Sequence, residues 1–286
     1  MVLMDRELHR KVTTDMRTAN WENRTLFHGD NLKFLRTMNS ESIDLIATDP
    51  PFNKGKDFHA TPDSLAAGAK FQDRWSWEED VHQEWVDKLN DDYPKIMEAI
   101  ESARYTHSDG MGAYMCFMAV RLLEMHRVLK PTGSIYLHCD PTASHDLKAV
   151  MDAIFGWRNF RNEIIWSYRR YTAKSKRFQR EHDVILFYGK RTPIVNVIHR
   201  PYGDKSGKRD SHYKQDEDGR WFRWQKLQGK EPYKIYLSDK GRRLGDVWSI
   251  PHINASEKSE LAILLRNPYH YTNGSLKPVA TKEILY

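Results

Sequence analysis

The chain has little cysteine and no long apolar run. Cys116 and Cys139 are the only two cysteines in 286 residues, far apart and in no metal-ligand spacing. That argues against a zinc module and suits a reducing compartment. No stretch is apolar for the length a membrane span needs, and the N-terminus has no signal-peptide apolar core. A soluble, cytoplasmic protein with no membrane partner is therefore expected. The thirteen histidines form no cluster with cysteine support, so no metal is expected.

What the chain does have is length and unevenly placed charge. At 286 residues it can bury a substantial core, enough for one large α/β domain with an insertion. The net charge of +6 is modest, but residues 161–245 hold 22 Lys and Arg against 10 Asp and Glu, while the remainder holds 23 against 29. One segment thus carries all the positive excess, with Trp221, Phe222, Trp224, Tyr233 and Tyr236 interleaved. This is the footprint expected of a nucleic-acid partner, the alternatives being a solvated charged surface or a disordered insertion.

The periodicities alternate. Short strands are predicted at Thr25–Phe27, Ile43–Thr48, Ser134–His138, Asn162–Trp166 and Val184–Tyr188. Helices are predicted over Asn31–Met38, Val81–Leu89, Tyr93–Arg104, Gly112–Leu129 and Ala143–Phe155, with a helix stop and turn at Lys130–Gly133. Alternation of this kind predicts an α/β fold with a doubly wound, largely parallel sheet. Trp75, Trp77 and Trp85 stand among acids and are read as packing residues. Residues 190–245 read as small β-structure.

The stretch Ile43-Asp44-Leu45-Ile46-Ala47-Thr48-Asp49-Pro50-Pro51-Phe52 is the most informative. An apolar strand, read as buried on both faces, stops at two prolines that cannot donate to a ladder. One carboxylate is thereby placed at the carboxyl end of a strand, where open α/β sheets bind ligands. Asp49 and the prolyl carbonyls can accept hydrogen bonds from an exocyclic amine, drawing its nitrogen out of conjugation and freeing the lone pair for attack on a methyl donor. Phe52 offers a face on which a base can stack. The bland alternative is an ordinary Pro-Pro turn. His138 and Asp140, just past a second strand, either line the same edge or form a strand-end turn and helix cap.

Further matches accompany this string in order: Leu26-Phe27-His28-Gly29-Asp30-Asn31 ahead of it, then Arg127 through Asp140, Asn162–Trp166, His182–Phe187 and Asp246–Pro251. Together they resemble the amino-methylating DNA methyltransferases, in particular the adenine-N6 branch with permuted motif order, over roughly residues 24–257. The resemblance implies a Rossmann-like fold, S-adenosylmethionine as cofactor, double-stranded DNA as partner, base flipping, and a place in restriction-modification. It implies catalytic roles for Asp49, Pro50, Pro51 and Phe52. Asp30 matches the acid near the adenosyl group, and it reads equally as a helix N-cap. Cytosine N4 is the alternative target, although an acid at the first motif position resembles the adenine group. A silent DNA-binding module is the alternative of another class.

The same resemblance divides the chain into an N-terminal arm (1–22), a catalytic core (23–168), a basic target-recognition region (169–245, including the core strand 184–188) and a C-terminal segment (246–286). Arg169, Arg170, Tyr171, Lys174, Lys176 and Arg177 are expected to meet DNA phosphates. Arg220, Arg223 and Lys226 are further DNA-contact candidates, with Gln225 and Gln228 beside them. The glycine-rich donor loop of the permuted branch is not recognisable, since the tail has no Gly-x-Gly. Lys277, in Lys277-Pro278, is the remaining cofactor candidate there. The expectation is a disrupted C-terminus or a second chain that supplies the donor loop.

Neutralising Arg169, Arg170 and Lys174 together is expected to flatten the dependence of DNA affinity on salt concentration. Binding isotherms over a series of salt concentrations check this, and an unchanged slope removes that loop from the phosphate contacts.

Overall fold

A computed structural model describes residues 19–22, 24–59, 70–169, 176–200, 213–238 and 240–250. The chain forms two compact units, one of them Val195–Asp246 and the other the remainder. The elements of the larger unit run α1 (Asn31–Thr37), β1 (Ile43–Thr48), β2 (Phe58–His59), β3 (Lys70–Phe71), α2 (Trp77–Asp80), α3 (Gln83–Asp92), α4 (Pro94–Thr106), α5 (Asp109–Val128), β4 (Leu129–Cys139), α6 (Ser144–Met151), β5 (Phe160–Ser167) and β6 (His182–Gly189). Those of the smaller unit are β7 (His199–Arg200), β8 (Lys214–Gln215), β9 (Trp221–Gln225), β10 (Tyr233–Tyr236) and β11 (Arg242–Arg243), after which β12 (Val247–Ser249) returns to the larger unit.

The main sheet has the order β1-β4-β6-β5-β12. The pairs β1/β4 and β5/β12 are parallel, whereas β6 runs antiparallel to both its neighbours. Four strands thus point one way and β6 the other, a largely parallel α/β sheet. Along β4, Ile135, Leu137 and Cys139 alternate onto one face and join a core built with α1 and α3 to α6. Tyr136 and its cross-strand partner Phe187 lie on the other face, stacked at 4.4 Å between ring centroids.

Helix α5 carries most of the packing. It is buried from Met111 to Val128 at thirteen positions, all round rather than along one stripe. Two of its arginines also hold α1. Arg121 reaches Asp30 at 2.9 Å and Asn31 at 3.0 Å, while Arg127 donates to the carbonyls of Leu35 (2.7 Å) and Met38 (2.8 Å). The Met38 carbonyl is among the acceptors a helix end leaves without intrahelical partners, while that of Leu35 also accepts from the Met38 N–H. Burial lowers the Arg121 pKa to about 10, against the opposing pull of Asp30, so the guanidinium stays charged at neutral pH.

Three sequence expectations need correction. Thr25–Phe27 is not a strand: Leu26 is 92 % exposed, and Phe27 instead stacks on Phe34 at 4.7 Å. A strand needs a partner, and β1 is the edge of the described sheet on that side. The same edge position leaves β1 short of burial on both faces, with Ile43 and Ile46 buried and Asp44 exposed. Finally, α5 stops at Val128 as expected, but no separate turn follows before β4. Lys130–Gly133 are instead absorbed as a bulge, since Ile43 pairs with Leu129 and Leu45 already pairs with Ser134. Ile43 and Ile46, an odd number apart, are both buried. Gly133 fits there because a Cβ would stand 2.8 Å from the Leu129 side chain and 3.0 Å from the Asp44 carbonyl oxygen.

In the smaller unit, β9 lies between β8 and β10, all antiparallel. Phe222 is its buried ring, touched edge-on by Trp224 and by Tyr236 at an angle.

Leu137 is fully buried, so Leu137→Ala is expected to cost about 2–5 kcal/mol through lost transfer energy and the cavity left behind. Leu26→Ala, on an exposed side chain, is expected to stay within about 0.5 kcal/mol. Denaturant melts of the two variants check the contrast.

Candidate active site

Strand β1 ends at Thr48, and Asp49-Pro50-Pro51-Phe52 leaves the sheet at its carboxyl edge. The loop is strapped from within. Tyr114, wholly buried on α5, donates its hydroxyl to the Pro51 carbonyl at 2.6 Å. Burial pushes the Tyr114 phenol well above its ordinary pKa, so it remains a neutral donor. Asn53 takes the left-handed conformation (φ 57°), and its N–H donates to the Asp73 carboxylate at 2.6 Å. The Gly55 N–H donates to the Asp73 carbonyl at 3.0 Å. These anchors leave Asp49 facing outward, its side chain 62 % exposed.

Asp49 is not alone. His138, on β4, places Nδ1 2.8 Å from Asp49 Oδ1. Its other nitrogen, Nε2, is buried and faces Asp183 Oδ2 at 3.6 Å, an ion-pair distance that is long for a hydrogen bond. Asp183 in turn accepts from the Tyr168 hydroxyl at 3.1 Å. Three strand ends converge here, because β6 runs backwards and delivers its second residue to the edge where β4 delivers its penultimate residue and β1 the residue just past its end. Burial alone would lower the His138 pKa, but the two carboxylates outweigh it and raise the value to about 9. Burial would raise Asp183, yet His138, Tyr168 and the charge of Lys54 bring it below its ordinary value.

Rings wall the site. Phe52 meets His138 edge-on at 5.0 Å, and Lys54 Nζ stands 4.6 Å from the centre of the Phe52 ring. Trp166 lies 5.3 Å from His138 and donates Nε1–H to the Ile250 carbonyl at 3.0 Å.

Asp30 caps α1, accepting from the Leu32 N–H at 3.1 Å and from Arg121 at 2.9 Å, both through Oδ1. Asp140 forms the strand-end turn and gives α6 no side-chain cap, accepting from the Thr142 N–H at 2.9 Å and pairing with Arg180 at 3.3 Å. Arg169, Lys176 and Arg177 are exposed, whereas Arg170, Tyr171, Lys174 and Lys277 lie outside the described residues. In the smaller unit Arg223 and Lys226 are exposed. Arg220 there is engaged internally, by Asp216 at 3.4 Å, Asp218 at 3.3 Å and the Tyr236 ring at 4.5 Å. Asp183, Tyr168 and Trp166 were not singled out individually from the sequence. They join Asp49 only through strand pairing, which puts Asp183 opposite Trp166 and Ile185 opposite His138. Among the described residues no group of His, Cys, Asp and Glu could hold a metal ion, and no helix is long and apolar enough to cross a membrane.

A largely parallel α/β sheet with an acid, two prolines and a ring at its carboxyl edge has the architecture of a Rossmann-like methyltransferase. A family model for DNA methylases matches residues 43–281, and the chain belongs to that family. The match continues past residue 257, where the sequence motifs stop. Among curated relatives, the Mod subunit of the type III restriction-modification enzyme StyLTI from Salmonella typhimurium is 28 % identical over 68 % of this chain and 28 % of its own length. The EcoP15I Mod subunit from Escherichia coli is 27 % identical over 58 % of this chain and 24 % of its own. The DNA adenine methyltransferase YhdJ of Escherichia coli is 26 % identical over 54 % and 37 %. The aligned part thus spans well under half of each of these relatives.

The His138 cluster sets a pH dependence. His138 holds its proton more tightly folded than unfolded, so its contribution to stability is complete below about 6.5 and is lost as pH rises through about 9. Asp183 has the opposite sign, with stability lost only as pH falls through its lowered pKa. Melting temperatures measured from pH 6 to 10 are expected to fall across the upper window in the wild type and to lose that slope in His138→Leu.

Proposed function

We propose that this chain carries the catalytic core of a DNA methyltransferase that moves a methyl group from S-adenosylmethionine to the exocyclic N6 of adenine in duplex DNA. The observation that carries the reading is Asp49: a carboxylate held outward at a sheet edge, beside an aromatic ring, by a loop anchored from inside. The relatives' names support it, two being Mod subunits of restriction-modification enzymes and one a DNA adenine methyltransferase. A modification role beside a restriction activity follows as part of the same proposal.

The target base has to leave the helix, at an unstacking cost of about a few kcal/mol. Phe52 then stacks on the flipped ring. Asp49 accepts a hydrogen bond from the amine, and the Pro50 carbonyl accepts the second, because the Pro51 carbonyl is already taken by Tyr114. Both acceptors favour a tetrahedral nitrogen whose lone pair is free to attack. Their placement before the reaction supplies the advantage of orientation and fixed dipoles.

S-adenosylmethionine supplies an electrophilic methyl group on a sulfonium. Asp30 fits its adenosyl part: both of its recorded bonds use Oδ1, and its side chain is 39 % exposed, which leaves a carboxylate oxygen for ribose hydroxyls. Lys277 is proposed as a second contact. Arg169, Arg170, Tyr171, Lys174, Lys176 and Arg177 are proposed to hold phosphates. The basic region 169–245, with Arg220, Arg223 and Lys226, is proposed to read the target. Trp224, 55 % exposed on β9, adds a stacking surface there.

Asp49→Ala is expected to reduce methyl transfer to unmethylated duplex DNA by about 100-fold or more while leaving DNA affinity nearly unchanged. Labelled methyl counting and a filter-binding titration measure the two, and equal loss of both makes Asp49 a structural residue. Digestion of the product to deoxynucleosides is expected to yield N6-methyl-2′-deoxyadenosine. N4-methyl-2′-deoxycytidine in its place overturns the assignment to adenine.

A further inference from the structure

His138 takes no part in the reaction as described, yet two carboxylates and two rings surround it. Its Nδ1 holds Asp49 Oδ1 at 2.8 Å, and its Nε2 is buried against Asp183. Phe52 and Trp166 pack against it, at 5.0 and 5.3 Å between ring centroids. Tyr168 fixes Asp183 from the far side at 3.1 Å. The His138 side chain is 15 % exposed and that of Asp183 is 19 % exposed, whereas that of Asp49 is 62 % exposed. Only the last member of the row is open to a substrate.

Resting on the methyl-transfer reading above, we propose that His138 is a positioning residue for Asp49. It holds Oδ1 so that Oδ2 alone meets the target amine, and Asp183 with Tyr168 holds the imidazole from behind. An exposed carboxylate at the end of a strand otherwise rotates freely about its Cβ–Cγ bond. A donor on one oxygen fixes that rotation, and misplacement of a reacting group by about 1 Å can cost about 100-fold in rate. The imidazole is not a general base here. The groups facing it are Asp49 from the loop after β1, Asp183 on β6 and Tyr168 after β5, with Lys54 acting on Asp183. The two acids both favour the imidazolium, which has no lone pair to offer. The proton released when the amine becomes methylated therefore leaves by way of Asp49 or water and does not pass to His138.

The test compares His138→Asn, which keeps an N–H donor near the place of Nδ1, with His138→Leu, which keeps bulk and loses the donor. With labelled S-adenosylmethionine and unmethylated duplex DNA, His138→Leu is expected to lose about 100-fold in kcat with an unchanged KM for DNA, and His138→Asn to recover most of that loss. Equal rates for the two variants overturn the proposal. So does a loss confined to KM. A second measurement needs neither activity nor a His138 variant: imidazole nitrogen NMR of the full chain should show His138 titrating near pH 9, and Asp49→Asn should move that midpoint down. An unmoved midpoint shows that the contact does not exist in solution. A wild-type chain that transfers no methyl defeats the functional reading instead, and the titration still decides the contact.

Discussion

Everything at the site depends on the hydroxyl of Tyr114 reaching the carbonyl of Pro51. A prolyl loop has few donors of its own, so it cannot hold its shape by a ladder. It needs a donor from outside, and one is supplied from the most buried helix of the fold. Tyr114 is closed off from solvent, so its hydroxyl has no water to fall back on, and the bond exchanges one buried need for another. With that carbonyl pulled inward, the acid two residues earlier is turned out. The packing of α5 against β4 and the direction of Asp49 are therefore one problem with one solution.

Charge is arranged in the same economical way. Arg121 and Arg127, on one helix, spend their donors on the two ends of α1 and keep little for solvent. Arg220 is likewise spent within its own hairpin. Basic side chains in this chain thus fall into two kinds, those that tie backbone to backbone and those that stand free at the surface, such as Arg223 and Lys226. A count of lysines and arginines does not separate them. Geometry does, and Arg220 has the weaker claim on nucleic acid as a result.

Much of this was legible beforehand because it is local. Pro50 and Pro51 end β1 wherever the strand lies, and Asp30 caps α1 by its place before Asn31. The strand and helix alternation gave the sheet its class. What could not be read depends on which strands become neighbours. Thr25–Phe27 has the residues of a strand and no partner. Lys130–Gly133 looks like a turn and is folded into β4 as a bulge. Asp183 reads as one more acid before an apolar run, since nothing within its own segment brings it to His138. Trp166 is similar: it looks like a core residue of β5, and only the pairing of β5 with β6 makes it a wall of the site.

The reversed direction of β6 has a further consequence. Its side chains alternate, so Val184, Leu186 and Tyr188 fill the helical core while Asp183, Ile185 and Phe187 look the other way. Inserting a single residue between Asp183 and Val184 would leave the core triplet free to keep its place, as the buried residues outweigh the acid. The inserted residue would then stand where Asp183 stood. A protein altered in this way would keep its helical core and still have lost the anchor of the imidazole. Along this strand, core packing and chemical competence can be inherited separately.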